Sequence, residues 1–155
     1  MATPDARIKE LLERYTGENL CLAQLLCDDH PADDVAFTIV QPDLSSADLT
    51  FGSLRAKSER VASGLAALGV EQGDRVGVLM GKSEELIVAL LAIWRLAAVH
   101  VPLFTAFAPA AIAMRLTASA AKVVIVDGDQ RSKLDPSDDI PVDVPWQIVT
   151  VGGDA

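Results

Sequence analysis

The chain has 155 residues, half of them hydrophobic, and its 13 basic and 22 acidic residues give a formal net charge of −9. This length suits one domain that folds without disulfides or metals, and the negative charge argues against a nucleic-acid partner because phosphate backbones would be repelled. Cys21 and Cys27 lack the spacing of a zinc site and are typical of a reducing compartment, so we expect a cytoplasmic protein. Such a high apolar content in a small domain also predicts exposed surface that a partner, or a second copy in a homo-oligomer, would cover.

The first half of the chain is predicted to contain three helices and a short strand pair. The predicted helices are 5–15, 19–28 and 51–68, and the predicted strands are 35–40 and 48–50. Thr50 is a suitable N-cap for the third helix, because its hydroxyl can accept from a free backbone N–H of the first turn. Gly69 suits the left-handed position that follows the last turn.

The second half alternates apolar strands with helices. The predicted strands are 75–80, 98–102, 122–126 and 147–151, and the predicted helices are 84–96 and 109–119. Each strand is an unbroken apolar run, which is typical of strands buried on both faces. The pattern therefore predicts an α/β fold, with a mostly parallel sheet covered by helices on both faces. We expect residues 1–155 to form a single domain, with 1–18 as a helical lead-in and 132–146 as an acidic loop.

One segment has the length and composition of a membrane span. Leu96 to Met114 is 19 residues without a charged side chain, which is long enough to cross a bilayer as a helix. Pro102 and Pro109 would break that helix, and the residues around His100 fit a buried strand. We therefore expect no membrane span.

The stretch from Gly77 to Ser83, GVLMGKS, is similar to the phosphate-binding P-loop. A P-loop has four residues between its first glycine and Gly-Lys-Ser, whereas three separate Gly77 from Gly81. The intervening residues also belong to a predicted strand, whose N–H groups are committed to the sheet. Ser83 is therefore predicted to cap a helix, with Gly81 and Lys82 forming a turn.

Three further features have a functional and a simpler interpretation. Cys27 and His30 bring a thiol and an imidazole close along the chain, but a helix end followed by an acidic turn explains them. His100 lies in an apolar strand and is expected to be a core or rim histidine. Gly128 follows a strand at the edge where parallel sheets bind ligands, and its simpler interpretation is a plain turn. The residues alone thus predict an α/β domain without a complete catalytic set.

Four stretches, in order, resemble the N-terminal part of the AMP-forming acyl-CoA synthetases. They are 49–54 (LTFGSL), 64–76 (GLAALGVEQGDRV), the helix 83–94, and 95–103 (RLAAVHVPL). The resemblance covers about residues 20–130, with Ala97 standing where that family usually has glycine. It implies the α/β fold of the N-terminal subdomain of these enzymes.

The segment from Phe104 to Pro109, followed by Arg115, resembles a motif of the acetyl- and propionyl-CoA synthetase branch, which favours a small acyl acid as substrate. In that branch two glycines let CoA approach the backbone where this chain has Thr105 and Ala106. An arginine near the position of Arg131 contacts the CoA nucleotide phosphate. The resemblance therefore implies that Thr105, Ala106 and Arg131 bind CoA.

A synthetase of this family joins a carboxylate to ATP and passes the acyl group of the adenylate to CoA. A glycine-rich Ser/Thr loop and Mg²⁺ would neutralise the phosphate charge, but neither that loop nor the family's catalytic lysine is found in these 155 residues. We therefore expect an inactive N-terminal fragment with no cofactor of its own, whose parent uses ATP, Mg²⁺ and CoA. A self-standing binding or oligomerisation module is the alternative, and an unrelated nucleotide-binding fold is a third interpretation.

Overall fold

A computed structural model describes residues 3–17 and 20–152. The helices are α1 (Pro4–Tyr15), α2 (Phe51–Ala67), α3 (Glu84–Arg95) and α4 (Pro109–Ala118). The strands are β1 (Val35–Val40), β2 (Ser46–Thr50), β3 (Arg75–Leu79), β4 (Val99–Pro102), β5 (Val123–Asp127) and β6 (Gln147–Val151). A π-helical turn (Gln24–Asp28) and a 3₁₀ helix (Gly128–Leu134) complete these elements.

Four strands form a parallel sheet in the order β4-β3-β5-β6. Gly77 of β3 lies opposite Val101 of β4 on one side and Val124 of β5 on the other. The remaining strands, β1 and β2, pair as an antiparallel hairpin outside this sheet. The predicted α/β class and the mostly parallel sheet are confirmed. Strands 35–40 and 147–151 have the predicted bounds, and the ends of the other four differ by at most two residues.

The two faces of the sheet carry separate hydrophobic clusters, because successive side chains of a strand point to opposite faces. Val76 and Val78 pack against α2 and α3, whereas Leu79 packs against α4 and the segment that follows β5. Gly77 also points to the α4 face, where an added Cβ would lie 2.6 Å from Leu116 Cδ2. Glycine is therefore needed there for α4 to lie this close to the sheet.

The predicted helix ends are present. Thr50 Oγ1 accepts from the Ser53 N–H at 3.3 Å and caps α2. Gly69 has φ +85°, and the next residue, Val70, donates its N–H to the Leu65 carbonyl at 3.0 Å. Residues near each end in the sequence satisfy these orphan backbone groups, which is why the sequence alone predicted them.

The predicted helix 19–28 is only partly correct. Its first residue lies outside the described residues, and its second half is the π-helical turn. Along this segment Ala23 and Cys27 are buried, while Leu22 and Leu26 are exposed. The small side chains allow this turn to pack closely on α2 and α3. The larger leucines are left on the surface.

The apolar residues of α2 are only partly buried. Its buried residues are Leu54, Ser58, Ala62 and Leu65. Val61 and Leu68 are 36% and 37% exposed because they face the outer part of the sheet, where no described helix lies.

Candidate functional site

The carboxyl ends of the parallel strands meet at one edge of the sheet, which is where open α/β sheets bind ligands. Three segments leave the sheet at this edge: 80–83 after β3, 103–108 after β4, and the 3₁₀ helix after β5. The residues singled out in the sequence for nucleotide or CoA binding fall in these three segments. We therefore take this edge as the candidate site.

A carboxylate occupies the space that a P-loop would offer to phosphate. The Gly81 N–H donates to Asp127 Oδ2 at 2.6 Å, which ties the end of β3 to the end of β5. Ser83 Oγ accepts from the Leu86 N–H at 3.2 Å and caps α3, as predicted. Because the Gly81 donor already serves an anion of the protein and Ser83 serves the helix, these residues do not form a phosphate cradle.

The segment after β4 is a tight turn built on two phenylalanines. The Phe107 N–H donates to the Phe104 carbonyl at 2.9 Å, and the two rings meet edge to face with centroids 5.2 Å apart. The Arg115 guanidinium lies 4.0 Å above the Phe107 ring centroid, a favourable cation–π geometry. Between the two phenylalanines, Thr105 is half-buried and Ala106 is exposed, so the tip of the turn is open to a ligand.

Arg131 lies on the 3₁₀ helix that follows β5, where the sequence predicted only a turn. Its Nη1 pairs with Asp135 Oδ1 at 2.7 Å. The Arg131 side chain is 38% exposed and that of Asp135 is 58% exposed, so solvent screens the pair and it contributes little stability.

The structure links the turn and the 3₁₀ helix through a residue that the sequence analysis did not single out. Lys133 Nζ donates to the Thr105 carbonyl. This contact brings Thr105 and Ala106 to the same edge as the helix that carries Arg131. The signal in the sequence was weak: Lys133 is the second of two cations in an acidic stretch.

The other sequence candidates lie elsewhere. Cys27 is buried, its Sγ donates to the Phe51 carbonyl at 3.5 Å, and burial raises the pKa of its thiol. His30 stacks on the Phe51 ring at a centroid distance of 4.3 Å, so thiol and imidazole each have another partner. His100 is half-buried on the edge strand β4, and burial lowers its pKa. Neither histidine belongs to the candidate site.

Two absences concern the described part of the chain. Within residues 3–17 and 20–152, no group of three or more His, Cys, Asp or Glu side chains is placed to hold a metal ion. In the same residues no helix is both long and apolar enough to cross a bilayer. The uncharged run from Leu96 to Met114 is divided between β4, the phenylalanine turn and part of α4.

Known proteins resemble this chain in both sequence and fold. Residues 26–153 match the family model described as AMP-binding enzyme. An acetyl-coenzyme A synthetase of Pseudoalteromonas translucida is 40% identical over 86 residues, which are 56% of this chain and 13% of that protein. An acyl-CoA synthetase from Brucella canis superposes with a TM-score of 0.82 at 32% identity, over 96% of this chain and 28% of that one. A benzoate CoA ligase from Burkholderia xenovorans superposes with a TM-score of 0.72 at 25% identity, over 86% and 26% of the two chains. The chain thus spans less than a third of each of these relatives.

Proposed function

The chain belongs to the family of AMP-binding enzymes, and from that premise we propose that it is the N-terminal part of an ATP-dependent acyl-CoA ligase. The observation that carries the proposal is the superposition of nearly the whole chain on the Brucella canis acyl-CoA synthetase. The parent converts a carboxylate, ATP and CoA to acyl-CoA, AMP and pyrophosphate through an acyl-adenylate. It acts in the cytoplasm.

The favoured substrate is a small acyl acid. Two observations support it: the sequence from Phe104 to Arg115, and the similarity to an acetyl-coenzyme A synthetase. The chain's contribution to CoA binding lies at the carboxyl edge, where Thr105 and Ala106 face the ligand from the turn and Arg131 supplies the charge for a phosphate. Since the pair of Arg131 with Asp135 is partly exposed to solvent, a phosphate can replace that carboxylate.

By itself this chain does not catalyse the reaction. We assign the ATP loop and the Mg²⁺ site to other parts of the parent polypeptide, because the glycine-rich Ser/Thr loop of the family is not found in these 155 residues. When the chain is mixed with ATP, Mg²⁺, CoA and short carboxylic acids, the amount of acyl-CoA formed should not exceed that of the protein-free blank; clear turnover contradicts this.

We also propose that residues 1–155 fold as one unit, with 1–18 leading into it and 132–146 forming an acidic surface segment.

A chimera tests the CoA site. Residues 3–152 replace the matching region of the Brucella canis synthetase, and acyl-CoA formation is measured with a series of carboxylates. Arg131→Glu should raise the KM for CoA at least about tenfold, because one charge-assisted phosphate contact is worth about 1.5–3 kcal/mol. ATP–pyrophosphate exchange, which does not need CoA, should be unchanged.

Lys9→Glu is the matched control, since it makes the same charge reversal on an exposed side chain of α1. An unchanged KM for CoA in Arg131→Glu rejects the CoA site. A folded chimera that forms no adenylate with any acid would contradict the proposal that this chain is part of an acyl-CoA ligase.

The alternative is a self-standing oligomerisation module. The observation that favours it is α1, which has no buried residue and exposes Ile8, Leu12 and Tyr15. Size-exclusion chromatography with light scattering tests it, and a monomer at every concentration contradicts it.

A further inference from the structure

The phenylalanine turn between β4 and α4 is held by two cations that come from different elements. Arg115 of α4 lies over the Phe107 ring, with its Cζ 4.0 Å from the ring centroid, and its Nη1 donates to the Ala111 carbonyl at 2.9 Å. Lys133 of the 3₁₀ helix donates from Nζ to the Thr105 carbonyl. Arg115 thus holds the end of the turn that leads into α4, and Lys133 holds its tip.

One hydrophobic core lies under both segments that the Lys133 contact joins. Leu134, the next residue of the 3₁₀ helix, is 2% exposed. It belongs to the same cluster as Leu103, which precedes the turn, and Phe107 packs against that cluster. The turn and the 3₁₀ helix therefore rest on a common base, and the hydrogen bond from Lys133 fixes the tip of the turn relative to the helix that carries Arg131.

The two cations of the 3₁₀ helix have partners of different charge. Arg131 pairs with the Asp135 carboxylate, and both side chains are partly exposed, so a phosphate can compete for the guanidinium. Lys133 is half-buried and donates to a neutral backbone carbonyl. Its contact fixes the backbone of the turn whether or not an anion is bound. One cation is therefore placed to meet a charged ligand, and the other is placed to shape the site.

We propose that Lys133 is a positioning residue of the CoA site: by holding the Thr105 carbonyl, it keeps the backbone of Thr105 and Ala106 in the conformation that receives an uncharged part of CoA. This rests on the proposed function, which assigns CoA to this edge of the sheet. A turn that is already ordered loses less conformational entropy when its ligand binds. Lys133 therefore acts on CoA affinity through the turn, whereas Arg131 acts through a phosphate.

The first test needs no ligand and uses the 155-residue chain with Lys133→Met, which keeps a long side chain but removes the donor. The measurement is amide hydrogen exchange of Phe107, whose N–H closes the turn on the Phe104 carbonyl. Loss of a hydrogen bond from a charged donor should speed this exchange at least about fivefold. Amides in the central strands β3 and β5 should exchange as in the parent chain, and Lys133→Arg, which retains a donor, should stay close to the parent at Phe107.

Lys9→Met is the matched control, because it makes the same substitution on an exposed side chain of α1; it should leave exchange at Phe107 unchanged. Parent-like exchange at Phe107 in Lys133→Met overturns the proposal. Equal acceleration in the turn and in the sheet also overturns it, because Lys133 then only stabilises the fold.

The second test measures CoA binding in the chimera with the Brucella canis synthetase. Lys133→Met should raise the KM for CoA at least about fivefold, and Lys133→Arg should restore most of the affinity. The KM for CoA that lacks its ribose 3′-phosphate should rise by the same factor in Lys133→Met, because a contact with a carbonyl does not depend on that phosphate. Arg131→Met, the positive control for a phosphate contact, should weaken CoA more than the dephosphorylated form.

Two results of the second test have different meanings. If the effect of Lys133→Met disappears with the dephosphorylated acceptor, Lys133 is a phosphate ligand and the positioning role is wrong. If the unsubstituted chimera forms no adenylate, the proposed function fails instead, and exchange at Phe107 still decides whether Lys133 holds the turn.

Discussion

At the scale of single residues, one carboxylate holds three elements together. Asp28, at the end of the π-helical turn, accepts from Arg95 Nη1 and Nη2 at 2.7 and 2.6 Å and from Arg55 Nε at 3.2 Å. Arg95 also donates to Ser58 Oγ at 2.9 Å. These contacts bind the turn to α2 and α3 through bidentate, charge-assisted hydrogen bonds, which are stronger than neutral ones.

Asp28→Asn should therefore lower the free energy of unfolding by about 2–3 kcal/mol. The Arg95 and Arg55 side chains, which are 13% and 34% exposed, lose the charge of their nearest carboxylate. Hydrogen bonding from Arg95 lowers the pKa of Asp28 in the folded state. The stabilisation is thus complete above the unfolded pKa of about 3.9 and is lost as the pH falls below it toward the folded value. Urea unfolding from pH 6 to pH 3 should show a steeper acid loss in the parent chain than in Asp28→Asn. Asp33→Asn, at an exposed turn position, should behave like the parent, and equal slopes in all three proteins would count against this role.

Contacts between side chains that are far apart in the sequence were not predicted. Asp28 and Arg95 are 67 residues apart, and Lys133 reaches a carbonyl 28 residues away. Local patterns carry no information about such pairs, because only the tertiary fold decides which side chains meet. Thr105, Ala106 and Arg131 were predicted from family resemblance alone, and their role in CoA binding stays a prediction.

At the scale of helices and strands, three helices are each followed by a residue in the left-handed conformation. That residue is glycine after one helix and alanine after the other two. After α2 the left-handed residue is Gly69, whereas after α3 and α4 it is Ala97 with φ +50° and Ala120 with φ +48°. In each case the next residue donates back to the last turn, as Ala98 does to the Ile93 carbonyl at 3.1 Å. The motif requires the left-handed conformation, and alanine adopts it at a cost.

Ala97→Gly should therefore raise the free energy of unfolding by about 0.5–1 kcal/mol, since relief of the left-handed strain outweighs the greater entropy of glycine in the unfolded chain. Ala120→Gly should act in the same direction. Ala56→Gly, at an exposed position inside α2, should instead destabilise by about 1 kcal/mol. Chemical denaturation of the three variants measures this, and a destabilising Ala97→Gly would show that the position carries no strain.

The helices, the strands and the helix ends are the part of the fold that the sequence predicted well. The caps at Thr50 and Ser83 and the left-handed Gly69 depend on neighbours within a few residues, so their signals are local. The resemblance marked position 97 as one where relatives have glycine, and the observed φ gives the physical reason. The π-helical turn and the 3₁₀ helix escaped prediction because packing, not local preference, sets their hydrogen-bond pattern.

At the scale of the whole molecule, the two faces of the sheet share the same central strands. Val76 and Val78 of β3 belong to the cluster under α2 and α3, while Leu79 of the same strand belongs to the cluster under α4. If the helices on one face of the sheet unfold, they expose β3, against which the helices on the other face also pack. The domain is therefore expected to unfold in one cooperative step.

The chain's two tryptophans allow a direct test of this coupling, since Trp94 packs on the α2–α3 side and Trp146 is buried on the α4 side. Trp146→Phe leaves Trp94 as the fluorescent reporter, and Trp94→Phe leaves Trp146. In each single-tryptophan protein, the fluorescence midpoint in urea should coincide with the circular-dichroism midpoint.

Gly77→Ala places a methyl group against Leu116 on the α4 side only. It should lower the free energy of unfolding by about 1–3 kcal/mol, the usual penalty of overpacking. Because the sheet couples the layers, Gly77→Ala should lower the midpoint reported by Trp94 as much as that reported by Trp146; a shift confined to Trp146 would mean that the α4 layer unfolds alone.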